Sequence, residues 1–226
     1  MSTLKPLKID VVSDVVCPWC YVGKRRLEAA LATLRAREPA LDLDVRWHPF
    51  QLNPDLPQEG VDRRRYLEAK FGGAARAAQI YERVRAAGQA SGLDLAFDRI
   101  ERQPNTLDAH RLIAWAQHEA PVRAGALVEG LFHAYFVEGR FIGDPAELAA
   151  LAADAGYDRE SAARMLASDA LRDEVAAADE RARALGIEGV PFFVFDGRVA
   201  VSGAHEPATL LDAIAQARAH APATIA

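Results

Sequence analysis

Val16-Cys17-Pro18-Trp19-Cys20-Tyr21 decides how this chain is read, because it carries both cysteines of the 226-residue sequence. It also sits where one periodicity gives way to another. Before it, Leu7-Lys8-Ile9-Asp10-Val11-Val12 alternates like a strand; after it, Leu27, Leu31 and Leu34 recur at helical spacing. Cys17 is therefore expected at a strand-to-helix junction. Pro18 suits the first helical turn, where its missing N–H costs nothing. The unpartnered N–H groups and the positive end of the helix dipole at that point favour a thiolate over a thiol. Cys20 follows about one turn later, so its sulfur can share a face with that of Cys17 and close a small disulfide. In this reading Cys17 attacks and Cys20 resolves.

Two plainer readings of the pair are weaker. A structural zinc needs four ligands, and none of the six histidines supplies an H-x-x-x-H partner nearby, so no metal is expected. A purely structural disulfide across so short a loop would remove little entropy from the unfolded chain.

Half of the residues are hydrophobic, enough for a full core without a metal or disulfide scaffold. The formal net charge of −5 offers no global attraction to nucleic acid. The basic runs Lys24-Arg25-Arg26 and Arg63-Arg64-Arg65 are expected to be solvated helix faces. Met1-Ser2-Thr3-Leu4-Lys5-Pro6 lacks the apolar core and cleavage pattern of a signal peptide, and no stretch is long and apolar enough for a bilayer. The expected compartment is the cytoplasm, with no membrane partner. There, two cysteines point to chemistry rather than to a secreted framework.

Outward from the cysteine pair, Leu41-Asp42-Leu43-Asp44-Val45-Arg46-Trp47 alternates as a second strand and ends in His48-Pro49-Phe50-Gln51-Leu52-Asn53-Pro54-Asp55-Leu56-Pro57, where three prolines exclude regular structure. Strand, helix, strand favours a parallel pair. The proline-rich loop leaves the carboxyl edge of the sheet, where ligands usually sit, which makes His48 a candidate substrate contact. From about Val61 to Leu185 the pattern is almost wholly helical. Leu107, Ile113 and Trp115, then Leu127, Leu131 and Tyr135, mark separate apolar faces. Asp144-Pro145-Ala146-Glu147 starts a helix that Gly156 ends, and alanine-rich helix continues through Ala184. Asn105 and Thr106 read as a helix cap. Strand character returns at Val190-Pro191-Phe192-Phe193-Val194-Phe195. Asp196-Gly197 signals a type I′ turn into Arg198-Val199-Ala200-Val201-Ser202, an antiparallel hairpin. A last helix presents Leu210, Leu211 and Ile214.

This order, with Asp14-Val15-Val16-Cys17-Pro18-Trp19-Cys20-Tyr21, Asn105-Thr106-Leu107-Asp108-Ala109-His110-Arg111-Leu112 and Gly189-Val190-Pro191-Phe192-Phe193, resembles the FrnE-like branch of the DsbA family of thiol–disulfide oxidoreductases. The resemblance runs from Leu7 to Ile214. It implies an α/β chain, a thioredoxin-like fold in residues 1–60 and 186–226 with an all-helical domain inserted at 61–185. It implies that Cys17 and Cys20 are the redox pair and that Pro191 is the cis-proline facing them. Such a bond would leave Val190 offering its N–H and C=O to an extended substrate.

Kappa-class glutathione transferases and 2-hydroxychromene-2-carboxylate isomerases are similar in the Asn-Thr-x-x-Ala-His segment, but usually carry serine in place of Cys17 and lack the second cysteine. That difference leaves glutathione open as a co-substrate, lined by His48, Asn53, Val190 and Ser202, and no cofactor is required. Pro18 and Trp19 are further substrate contacts, the indole either stacking on substrate or capping the first turn. Asp14 is expected to serve the turn, with a proton-acceptor role toward Cys20 as the alternative. His110 is expected to bond across the helical domain.

The function expected is a dithiol–disulfide oxidoreductase of reductase or isomerase type, with protein or small-molecule disulfides as partners. The alternatives are a glutathione-dependent isomerase or transferase acting on a small aromatic compound, and a holdase using an exposed apolar groove. Oligomeric state stays open, a homodimer among the options.

Overall fold

The computed structural model describes residues 6–219, so the reading of Met1 to Lys5 lies outside the described residues. In chain order the elements are β1 (Leu7–Ser13), α1 (Pro18–Arg37), β2 (Leu43–Pro49), β3 (Val61–Asp62), α2 (Arg63–Phe71), α3 (Ala74–Ala90), β4 (Arg102–Gln103), α4 (Leu107–Glu119), α5 (Pro121–His133), α6 (Pro145–Asp154), α7 (Arg159–Leu166), α8 (Arg172–Ala184), β5 (Phe192–Phe195), β6 (Val199–Ser202) and α9 (Pro207–Ala219). Short 3₁₀ and π-helical turns at Phe97–Arg99 and Ala134–Glu138 complete them.

The main sheet runs in the order β2-β1-β5-β6. β1 pairs in parallel with β2, Val11 opposite Trp47, and antiparallel with β5, Val11 opposite Phe193. The β5–β6 hairpin turns at Asp196-Gly197, with φ of +51° and +67°, the two positive values that a type I′ turn demands. Arg198 N closes it on Phe195 O at 3.0 Å.

The period of two in β1 sorts its neighbours. Leu7, Ile9 and Val11 join Leu27 and Leu31 of α1 in a core that continues into Leu112, Leu127, Phe132 and Phe136 of the inserted helices. Each such side chain contributes about 1.5–3 kcal/mol through burial. Val12, on the other face, packs in a small cluster with Phe50, Ala182 and Ile187.

Three expectations change. The helical stretch is interrupted by the two-residue ladder of β3 and β4, Val61 opposite Gln103. That ladder is too short to leave a β-branched run. Alanine-rich helix does not run unbroken to Ala184. Asp158 caps α7 by accepting from Ser161 N at 2.8 Å, and Leu171 at φ +63° precedes α8. Asp144 caps α6 through Ala146 N as expected, and Glu147 pairs with Arg140 Nε at 2.5 Å.

The basic runs are the third correction, and only in part: Arg64 and Arg65 are solvated as expected, whereas Lys24, Arg26 and Arg63 reach inward. Lys24, 2% exposed, donates to Glu28 at 2.5 Å and Glu129 at 2.6 Å. Arg25 pairs with Glu129 and lies 5.5 Å from the Tyr21 ring centroid; Arg26 donates to Ala204 O at 2.6 Å. Buried Arg63 donates to Gln103 at 2.8 Å, Tyr135 at 2.7 Å and Tyr81 at 3.0 Å. A buried cation is tolerated only when its donors are met, and partners on distant segments meet them.

Candidate active site

Cys17 is the cap residue of α1, extended at φ −92° and ψ +111°, with Pro18 in the first turn. Its N–H donates to Asp14 O at 3.0 Å, and its carbonyl accepts from Cys20 N at 3.0 Å and Tyr21 N at 3.4 Å. The main chain thus fixes the bend and leaves the thiol free of the capping role. Cys17 Sγ donates instead to Val190 O at 3.6 Å. The Val190-Pro191 bond is cis, as the resemblance implied, and Pro191 O accepts from Gly203 N at 2.8 Å, which ties this turn to β6.

Both cysteines are free thiols, Cys17 5% and Cys20 2% exposed. Burial pushes the Cys20 thiol well above its ordinary pKa, reinforced by its hydrogen bond to Cys17 and by the charge of Cys17; the Asp14 main-chain N–H opposes this. Cys20 therefore stays protonated at neutral pH and can lend its proton to the neighbouring sulfur.

Gly23 belongs to this site and was missed. A Cβ there would stand 2.8 Å from Pro191 Cγ and 3.1 Å from Phe193 Cζ, so the missing side chain lets α1 lie directly on the Val190–Pro191 turn. A glycine inside a helix costs about 1 kcal/mol relative to alanine, which was the available signal.

The inserted helices build the opposite wall. A recess of about 260 Å³ opens beside Cys17 between Trp19, Asn53, Tyr66, Lys70 and Tyr81. Asn53 Oδ1 accepts from the Tyr66 hydroxyl and from Lys70 Nζ at 3.3 Å. Tyr81, held by Arg63, has its hydroxyl pKa raised chiefly by burial, with the Arg63 charge opposing and the Cys17 charge adding. Tyr66, Lys70 and Tyr81 gave no sequence signal, since aromatic residues at helical spacing read as core.

Asp14 does more than shape the turn. Its buried carboxylate accepts from Leu52 N at 2.7 Å and shares a 3.3 Å hydrogen bond with His110 Nε2. His110 thus bonds from α4 to the cysteine loop, not across the helical domain. Asn105 Oδ1 accepts from Leu107 N at 2.9 Å, while its amide donates to Leu56 O at 2.7 Å and Pro54 O at 3.1 Å. The Asn-Thr-x-x-Ala-His segment therefore braces the cysteine loop and the proline-rich loop together. Thr106 makes no capping bond.

Other candidates separate. Pro18 and Trp19, the indole 37% exposed, line the recess. His48 does not. It stands opposite Val12, on the sheet face away from α1, and shares a 2.8 Å hydrogen bond with Asp10. A strand's period of two fixes that facing. Ser202 lies exposed opposite Phe192, one strand beyond the cis bond and outside the recess. Among the described residues no cluster of histidine, cysteine, aspartate or glutamate is placed to hold a metal, and no helix is long and apolar enough to cross a membrane.

The model of the DSBA-like thioredoxin domain family matches residues 8–215. A solved structure of a probable DsbA oxidoreductase from Streptomyces coelicolor is 32% identical and superposes with a TM-score of 0.83, covering 97% of this chain and 94% of that one. The YwbO protein of Bacillus subtilis is 28% identical over 202 residues, 87% of this chain and 90% of the relative. The cytosolic disulfide reductase DsbM of Pseudomonas aeruginosa, solved with glutathione, is 21% identical with a TM-score of 0.61 over 94% of this chain and 96% of its own; at that distance the likeness is one of fold.

Proposed function

The chain belongs to the family of DSBA-like thioredoxin domains, and on that premise we propose that it is a dithiol–disulfide oxidoreductase of the reductase or isomerase type. The observation that carries the reading is one arrangement: a cap-position sulfur at the start of α1, 3.6 Å from Val190 O, with the buried Cys20 thiol one helical turn further along the same helix.

In the forward half-reaction the Cys17 thiolate attacks one sulfur of a substrate disulfide. A Cys17–substrate disulfide forms, and the other substrate sulfur leaves as a thiolate. Cys20 then gives up its proton and attacks Cys17 Sγ. The Cys17–Cys20 disulfide forms, the second substrate thiol departs, and two electrons have passed to the substrate. In this proposal Val190 O, 3.6 Å from Cys17 Sγ, and the neighbouring backbone hold the substrate chain beside the reacting sulfurs. A small thiol returns the pair to its reduced state, and glutathione is proposed for this, supported by its presence in the DsbM structure. The same relative supports a cytosolic location. Within this proposal the segments flanking residues 61–185 carry the redox pair and its facing turn, and the insert supplies the substrate wall.

The test is reduction of insulin and of a small disulfide by wild type, Cys17→Ser and Cys20→Ala. Cys17→Ser is expected to fall to the uncatalysed rate, and Cys20→Ala to accumulate the mixed disulfide. Equal rates in wild type and Cys17→Ser would overturn the proposal. Turnover of a small aromatic substrate that survives Cys20→Ala would favour a glutathione-dependent isomerase or transferase instead.

A further inference from the structure

The reacting sulfur does not lie on an open groove. Cys17 is 5% exposed and faces a recess of about 260 Å³, just below the size range of drug-like pockets and suited to one aryl or short aliphatic arm. Its lining is mostly apolar, with Leu67, Phe71, Ile80 and Val84 and the Tyr81 ring among it. Its polarity is of one sign. Lys70 and the Asn53 amide stand at the edge, and no aspartate or glutamate lines it. Asn53 Oδ1 already accepts from Tyr66 and Lys70, which leaves its amide hydrogens to donate. At the Tyr81 hydroxyl, an oxygen that accepts from Arg63 at 3.0 Å keeps its own proton to give. A second cavity of about 460 Å³ shares Leu67 and Tyr81, but its rim mixes Arg64 and Arg85 with Glu68, Glu82 and Asp98, and it holds no sulfur.

Resting on the redox reading above, the geometry points to a low-molecular-weight disulfide with an apolar, aryl-sized arm and an anionic group as the substrate class of Cys17. The arm packs in the recess against Ile80, Tyr81 and Val84, and the anion meets Lys70 and the Asn53 amide. One substrate sulfur comes to Cys17 and the other points out past Trp19 as the leaving thiolate. The step is the exchange already described, one S–S bond formed for one broken. Dithiothreitol serves as the reductant in the assay.

The experiment compares four probes on the reduced full chain, each rate divided by the same probe's rate with free dithiothreitol: dithiobis(nitrobenzoate), dithiodipyridine, hydroxyethyl disulfide and insulin. The normalised rates are expected to fall in that order. Lys70→Ala is expected to cut the preference for the anionic over the neutral aryl probe about threefold, the size of an exposed ion pair. Ile80→Trp, which fills the recess, is expected to slow both aryl probes about tenfold, the burial of one or two methylene-sized groups. Insulin turned over as readily as the aryl probes, or an anionic preference unmoved by Lys70→Ala, would overturn the inference while Cys17-dependent turnover kept the redox reading intact. Loss of Cys17 dependence for all four probes would overturn that reading itself.

Discussion

On one side of Cys17, the sheet and the Val190–Pro191 turn make contact through main-chain atoms: Cys17 N to Asp14 O, Cys17 Sγ to Val190 O, Gly203 N to Pro191 O. On the other side, the inserted helices reach the same site through long charged and aromatic side chains, such as Arg63 on Tyr81 and His110 on Asp14. The first side depends on where the backbone runs and on what small residues permit. The second depends on buried charges, each of which must be met by a partner. Change on the first side should disturb the chemistry more than the stability, and change on the second should do the reverse.

Arg111→Ala attacks the second side hardest. Buried Arg111 donates to Asp108 at 2.8 Å, to Ala170 O at 2.8 Å and to Met165 O at 3.1 Å, and so closes the carboxyl end of α7. Its removal leaves those acceptors buried and is expected to cost about 3–5 kcal/mol in denaturant unfolding. A loss under about 1 kcal/mol would show that water replaces it freely, and the contrast between the two sides would fail.

Gly23→Ala tests the first side. Alanine improves helix propensity by about 1 kcal/mol, whereas overpacking against Pro191 and Phe193 costs about 1–3 kcal/mol. The expected net loss is up to about 2 kcal/mol. Disulfide reduction is expected to drop further than that loss implies, because the side chain pushes the Val190–Pro191 turn away from Cys17. Unchanged turnover in the folded variant would remove Gly23 from the site.

Glu129→Gln is expected to have the smallest effect, about 1.5 kcal/mol near neutral pH, the low end for hydrogen bonds to a charged group, because Glu28 still meets Lys24. Burial works to raise the Glu129 carboxyl pKa, but the Lys24 charge and the bonds from Lys24 and Tyr21 outweigh it, so the folded value lies below the usual 4.5. A depressed carboxylate stabilises the fold fully above its unfolded pKa and loses that contribution as pH falls through the folded value. The gap in melting temperature between wild type and variant should therefore be constant above about pH 5 and close on further acidification. A gap that persists at low pH would assign it to shape and not to charge.

The opening strand and helix, the cysteine junction and the hairpin could be read directly, because alternation, a cap-position cysteine followed by proline, and Asp-Gly are local signals. The helical insert was legible as helices but not as walls. β3 and β4 are two residues each, and the break before α8 rests on Arg111, a residue some 60 positions earlier (an Arg111–Ala170 separation of 59). Lys24 and Arg63 misled for the same reason: Lys24 meets Glu129 across a separation of 105 residues. His48 misled because its place along the chain was visible while the sheet face it occupies was not.

The amino-acid order by itself settled that a thiol pair sits where a strand becomes a helix, and that a valine–proline turn begins the closing hairpin; those are matters of neighbours along the chain. Only the folded molecule decided which charges are buried, that Gly23 gives Pro191 its room, and that Tyr66, Lys70 and Tyr81 line a recess beside Cys17. The physical reason is range. Backbone preference acts over a few residues, whereas pairing of buried charges and exclusion of volume act between segments that meet only after folding.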